Sequence, residues 1–251
     1  KGLYQPTCQA ALADALLLRT LPGEPARDDP AAVQKSLDGW TALFAKLRQP
    51  SSRQFAQGKI TNLGTALVQA QLKGLEAAKA SDHQLLLETS AKALGFAKSR
   101  DFASASAAWA KAVPTSEWGR ERARLAADAC SRAGQFVVDF VSKVGETGYS
   151  GPILRTSGQP FAARIVSATA DKLLVDLGFG PTPIDFSAIS SAGILQIAKA
   201  TFLPKAGPEV LERAAFFAWL SGDTEYAKEL SRQLHDLPGF ADRWEALILA
   251  P

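Results

Sequence analysis

Small and aromatic residues recur at fixed offsets around a turn twice in this chain, and no other feature constrains the fold as strongly. In the first copy Ala93 and Phe96 precede Arg100-Asp101-Phe102, and Ala105, Trp109 and Ala112 follow. In the second, Ala215 and Ala218 precede Gly222-Asp223, and Ala227 follows four residues after the aspartate. Two helices approach closely only where a small side chain on one faces a large one on the other. The pattern therefore predicts antiparallel helix pairs that stack on further helix pairs.

Helical spacing extends beyond the two copies. Thr7 is the expected N-cap of a first helix over 9–19, with Leu12, Leu16 and Leu17 on its apolar face and Leu21-Pro22-Gly23 ending it. Asp29-Pro30 is a strong start, Asp as cap and Pro at the first helical position. Val33, Leu37, Trp40, Phe44 and Leu47 then recur every three or four residues, and Gln49-Pro50-Ser51-Ser52 is expected to close that helix. A third helix is expected from Ile60 through Leu63, Leu67, Ala70 and Leu75 to Ala80. Ser81 with Gln84 has capping-box spacing and is expected to open a fourth, over 82–98. A fifth over 101–112 completes the first hairpin, and Pro114 stops it. Residues 117–133 read as another helix with Leu125, Ala126, Ala129 and Cys130 inward. Gly134 either breaks or kinks it before Phe136, Val137, Phe140 and Val141.

The texture then changes. Gly145, Gly148, Gly151 and Pro152 read as a linker or turn region, and 161–168 and 172–177 as strands joined by the turn Thr169-Ala170-Asp171. Ile184-Asp185-Phe186 gives a third short strand, so a three-stranded antiparallel meander is expected over 160–187. A sheet that small must lean on helices. Ser187 or Ser190 caps the return to helix through Ile194, Leu195 and Ile197. Helices over 208–220 and 224–234 form the second signature hairpin, and one over 240–249 packs Trp244 and Leu247 on its end. The expected fold is mainly α, antiparallel helical hairpins with a small β meander. Its expected segments are 1–146, 147–190 and 191–251.

At these two places the chain resembles the tetratricopeptide-type helical repeat. The family usually has Gly just before the turn aspartate; Gly222 fits, and Arg100 takes that place in the first copy. The second copy has Ser231 and Leu234 where the first has Trp109 and Ala112, and more than a hundred residues separate the copies, so this is not an uninterrupted array. A divergent repeat and an unrelated helical domain with repeat-like hairpins both remain open. The run from Pro160 to Leu195 is similar to a small β unit of large bacterial modular proteins, which often carry helical repeats beside it and sometimes a protein-kinase domain. No kinase motif is present here.

Apolar residues make up 47% and charged residues 21%, as in an ordinary folded chain, and the net charge is +3. No Lys/Arg stripe with interleaved aromatics points to nucleic acid. Arg120, Arg122, Arg124 and Arg132 share their helix with Glu117, Glu121 and Asp128, which reads as a solvated face. No run approaches the eighteen or so apolar residues of a membrane helix, so no membrane insertion is expected. The chain has no Met, and its start at Lys1-Gly2 reads as a processing site or a cut from something longer. The compartment stays open, cytoplasmic or exported with a signal removed, and so does the oligomeric state.

Catalytic signatures are missing from the sequence. His83 and His235 lack zinc-site spacing, Cys8 and Cys130 read as buried small apolar side chains with their pairing open, and no Gly-x-Ser-x-Gly elbow occurs. Gly178-Phe179-Gly180-Pro181 lacks the helix start and the Lys of a phosphate cradle. Asp176 and Asp185 read as outward strand positions, and Trp40, Trp109 and Trp219 as core. No catalytic, cofactor-binding or metal residue is therefore expected. The expected role is a non-catalytic interaction or scaffold module for a protein or peptide partner, with Lys98, Arg100, Lys111 and Trp118 as candidate contacts. Two alternatives are an all-α enzyme or small-ligand binder with a pocket between helices and β unit, and a structural segment of a longer protein.

Overall fold

The computed structural model describes residues 5–21, 23–169 and 171–248. It is mainly α with a small antiparallel sheet. In chain order the elements are α1 (Gln5–Leu18), α2 (Pro30–Phe44), α3 (Pro50–Lys98), α4 (Phe102–Ala110), α5 (Glu117–Thr147), β1 (Tyr149–Leu154), β2 (Pro160–Ala168), β3 (Lys172–Asp176), β4 (Pro181–Asp185), α6 (Ser191–Thr201), α7 (Pro208–Leu220), α8 (Thr224–Gln233) and α9 (Phe240–Ile248). Short 3-10 turns follow β4 and α6. Pro22, Ala170 and Leu249, each part of an expected turn or helix end, lie outside the described residues.

Packing divides the chain into two units, Lys1–Ala80 and Ser81–Pro251, with the division inside α3. In the first unit, Leu43, Leu47 and Ala56 form a small buried cluster, with Leu17, Leu18, Leu21, Trp40 and Phe44 packed against it. Asp29 caps α2 as expected, accepting from the Ala31 and Ala32 N–H groups at 2.9 and 3.2 Å. Thr7 lies inside α1 and is not its cap, because Pro6 is tolerated in a first turn that has no use for its missing N–H. Pro50 starts α3 and does not close α2, which ends at Phe44.

α3 is one helix of 49 residues where two were expected. Between Ile60 and Lys98 it contains no Pro, and a mid-helix Ser such as Ser81 costs only a few tenths of a kcal/mol, about the ordinary propensity difference. The capping-box spacing at Ser81 and Gln84 is not used.

In the second unit α5 is the central rod, packed against α4, α7, α9 and β2. Its buried face explains this. Gly119, Ala123, Ala126, Ala129 and Ala133 let neighbouring helices come close, while Phe136, Phe140 and Val144 fill the wider space further along. Gly134 does not break α5; a Cβ there would meet Phe102 Cβ at 3.2 Å, so the glycine marks where α4 crosses closely.

The sheet has four strands in the order β1-β2-β3-β4, all antiparallel. The expected three are joined by β1, which the Gly and Pro residues had marked as linker or turn. Pro152 is compatible with pairing because β1 is an edge strand, and Pro181 and Pro183 sit on the opposite edge, β4. Ile153, Ala163, Ile165, Leu173 and Val175 make the buried face, joining the α5 and α6 side chains in one core. Ser190, of the two candidate serines, caps α6 by accepting from the Gly193 N–H at 3.0 Å.

Candidate interaction surface

The two signature turns have one geometry. Asp101 caps α4 at φ −84°, ψ 70°, and Asp223 caps α8 at φ −83°, ψ 68°. The Asp101 N–H donates to Phe96 O at 3.0 Å and the Asp223 N–H to Ala218 O at 2.9 Å. The notch alanines Ala93, Ala105, Ala215 and Ala227 are all buried, none more than 1% exposed. Before each aspartate the backbone enters the left-handed region, at Arg100 (φ 63°) and Gly222 (φ 91°). Glycine does this freely and arginine does not, so something must hold Arg100 there.

Its own side chain does so. Arg100 Nη2 donates to Phe186 O at 3.1 Å and Ser187 O at 3.0 Å, and the guanidinium lies 5.1 Å from the centroid of the Phe186 ring. Arg100 thus ties the α3–α4 turn to the 3-10 turn after β4, and burial pulls its guanidinium below the ordinary arginine value. Lys98, in the last turn of α3, and Lys111, the C-cap of α4, are exposed. Trp118 is half-buried under Arg122, whose guanidinium lies 5.1 Å from its centroid. Arg100 and Trp118 line different clefts, so these two candidates do not share a patch. Around Trp118, Arg120 Nη1 donates to Thr115 O at 2.6 Å, Arg122 Nη1 to Glu245 O at 3.3 Å, and Arg124 Nε to Glu121 Oε2 at 2.8 Å. Each of these cations already has an internal partner.

Two buried carboxylates that the sequence reading passed over position the helix starts. Asp14, on α1, accepts from the Gln49 N–H at 2.8 Å and the Arg48 N–H at 3.1 Å, just ahead of α3. Asp82, on α3, accepts from the Thr115 and Ser116 N–H groups, both at 2.8 Å, just ahead of α5. Both Thr115 and Ser116 hydroxyls also donate to it. Burial pushes the Asp82 carboxyl up, but the Ser116 and Thr115 donors outweigh that and hold it at about 2, below its ordinary 3.8. Gly119 completes the contact, since a Cβ there would lie 2.5 Å from Asp82 Oδ2. Three leucines follow each aspartate, at +2 to +4 after Asp14 and at +3 to +5 after Asp82, so the sequence carried no common register that marked the two clamps.

Other polar groups serve packing. Cys8 and Cys130 are both free; Cys8 is exposed, contrary to expectation, and only Cys130 is buried. Burial pushes the Cys130 thiol up to about 12, with the Trp109 N–H opposing it, which leaves a poor nucleophile.

The exposed counterpart to these buried contacts lies on α3. Val68, Leu72 and Leu75 are 55%, 55% and 47% exposed, at i, i+4 and i+7 on one face. From Gln71 to Ala77 every residue of the helix is exposed. Leu75, expected on an apolar face with Leu63, Leu67 and Ala70, is exposed while Ala70 is buried, and nothing among the described residues covers it. The chain matches no protein-family model, no curated protein and no solved structure.

Proposed function

We propose that the protein is a non-catalytic interaction module of tetratricopeptide-like hairpin architecture, which docks a protein or peptide partner along α3. The observation that carries this reading is the exposed line Val68, Leu72 and Leu75. Apolar side chains at that spacing are the anchors of helix-in-groove and helix-on-helix recognition. Contiguous exposed apolar surface on a folded protein marks a contact site. Support for the repeat-like architecture comes from the matching turns at Asp101 and Asp223. Lys98 and Lys111 are exposed and are available for peripheral polar contacts.

The test is capture of partners by the whole chain, followed by titration of each purified partner against wild type and the double variant Leu72→Glu/Leu75→Glu. Both positions are exposed, so the variant keeps its helix content. Affinity is expected to fall at least about tenfold, the loss of roughly 1.4 kcal/mol. Equal affinity of the variant for every captured partner would refute the assignment of the surface.

A further inference from the structure

Within the first unit, α2, the first turns of α3 and the loop over 23–27 line a partly open cavity of about 680 Å³. That lies inside the range of ligand-sized pockets, about 300–1,000 Å³. Val33, fully buried, forms part of its floor. Its wall is an aromatic corner: Trp40 and Phe55 meet edge to face, centroids 5.8 Å apart and planes at 67°. Phe55 is 53% exposed, so much of its ring is open to whatever enters. Ser36, only 6% exposed, also lines the cavity.

The rim is electrically lopsided. Lys59 Nζ lies 2.9 Å from Glu24 Oε1, and Arg27 Nη2 lies 3.8 Å from Glu24 Oε2. Two cations share one carboxylate, and Glu24 is the only acid lining the cavity among the described residues. The free valence at the rim is therefore positive, next to an apolar aromatic corner.

We propose that this cavity is a binding site for a small planar aromatic carboxylate. Its ring system lies in the Trp40–Phe55 corner, stacking on one ring and meeting the edge of the other, the two arrangements aromatic groups prefer. Its carboxylate takes Arg27 and Lys59 at the rim, where charge-assisted hydrogen bonds form. The site is independent of the α3 apolar line, so either can fail without the other.

The experiment is isothermal titration of the whole chain with 2-naphthoate, with 2-naphthylmethanol and dodecanoate as comparators. Saturable binding at one site per chain is expected. Phe55→Ala and Lys59→Gln should each weaken it about tenfold, and 2-naphthylmethanol should bind about tenfold more weakly than the acid. Glu24→Gln, which removes the competing acid, should tighten it. All three substitutions are at partly or well exposed positions, and unchanged circular dichroism confirms their folding. The proposal is overturned by absence of saturable binding, by indifference to Phe55→Ala, by equal or tighter binding of dodecanoate or the alcohol, or by weaker binding to Glu24→Gln.

Discussion

A carboxylate as enclosed as that of Asp82, 1% exposed, is tolerable in the core only because donors from Thr115 and Ser116 face both its oxygens. Asp82→Asn would turn an amide NH2 toward groups that are themselves donors. Unfolding of the second unit by urea at neutral pH should show a loss of about 2 kcal/mol. The acid limb supplies a sharper check. Because the folded carboxyl sits at about 2 and its ordinary value is 3.8, its stabilisation is present above about pH 4 and disappears as pH falls toward 2. The stability gap between wild type and Asp82→Asn should therefore narrow across that window. A gap that stays constant from about pH 5 to about pH 2 would contradict the assignment. Arg100 illustrates the same point at a turn: a residue unsuited to φ 63° is kept there by bonds made far along the chain.

Among elements, α5 is governed by residue size along one face. Its alanines lie on its buried face, α4 and α7 pack against α5, and Ala105 on α4, fully buried, belongs to the same core. Ala105→Leu adds three carbons where helices already touch, and should destabilise the second unit by about 1–3 kcal/mol in denaturant unfolding. A neutral result would mean that α4 and α5 have slack between them, and the size-matching account would fail. The sheet is an element of another kind. It is stabilised by burying one face in the core with α5 and α6 side chains, while Pro152 on one edge and Pro181 and Pro183 on the other discourage further strand pairing.

For the molecule as a whole, the two units differ in how much apolar surface they enclose. The first has the small cluster around Leu43, Leu47 and Ala56; the second has a continuous core running from Leu86 to Leu247. Unfolding should accordingly be a two-step process, with the first unit giving way at lower denaturant. Fluorescence of a chain retaining only Trp40, compared with circular dichroism of the same chain, would resolve the steps. The second step depends on a buried ion network. Glu212, 1% exposed on α7, accepts from Arg132 Nη1 of α5 and Arg243 Nε of α9, both at 2.9 Å. Asp128 adds a bond to Arg132 at 3.0 Å. Glu212→Ala leaves both arginines short of a counter-charge and should lower the second step by about 3 kcal/mol while leaving the first unmoved. A single coincident transition, or a shift in the first step, would contradict this division.

What the sequence determined by itself was local. The Asp29 cap, Ser190 as one of two candidate caps, and the buried alanine notches depend on residues within a few positions of one another and lie where they were expected, whereas Thr7 and Ser81 sit inside helices and Leu12 and Leu16 of the expected α1 apolar face are exposed. Tertiary structure decided the rest. Whether Ser81 starts a helix or sits inside one, whether a Gly/Pro-rich stretch becomes linker or the edge strand β1, and which charges meet at Asp14, Asp82, Arg100 and Glu212 depend on partners dozens of residues away. The α3 line shows the limit most plainly. Periodicity identifies an apolar face, but burial is a property of what packs against it, and among the described residues Val68, Leu72 and Leu75 have no cover.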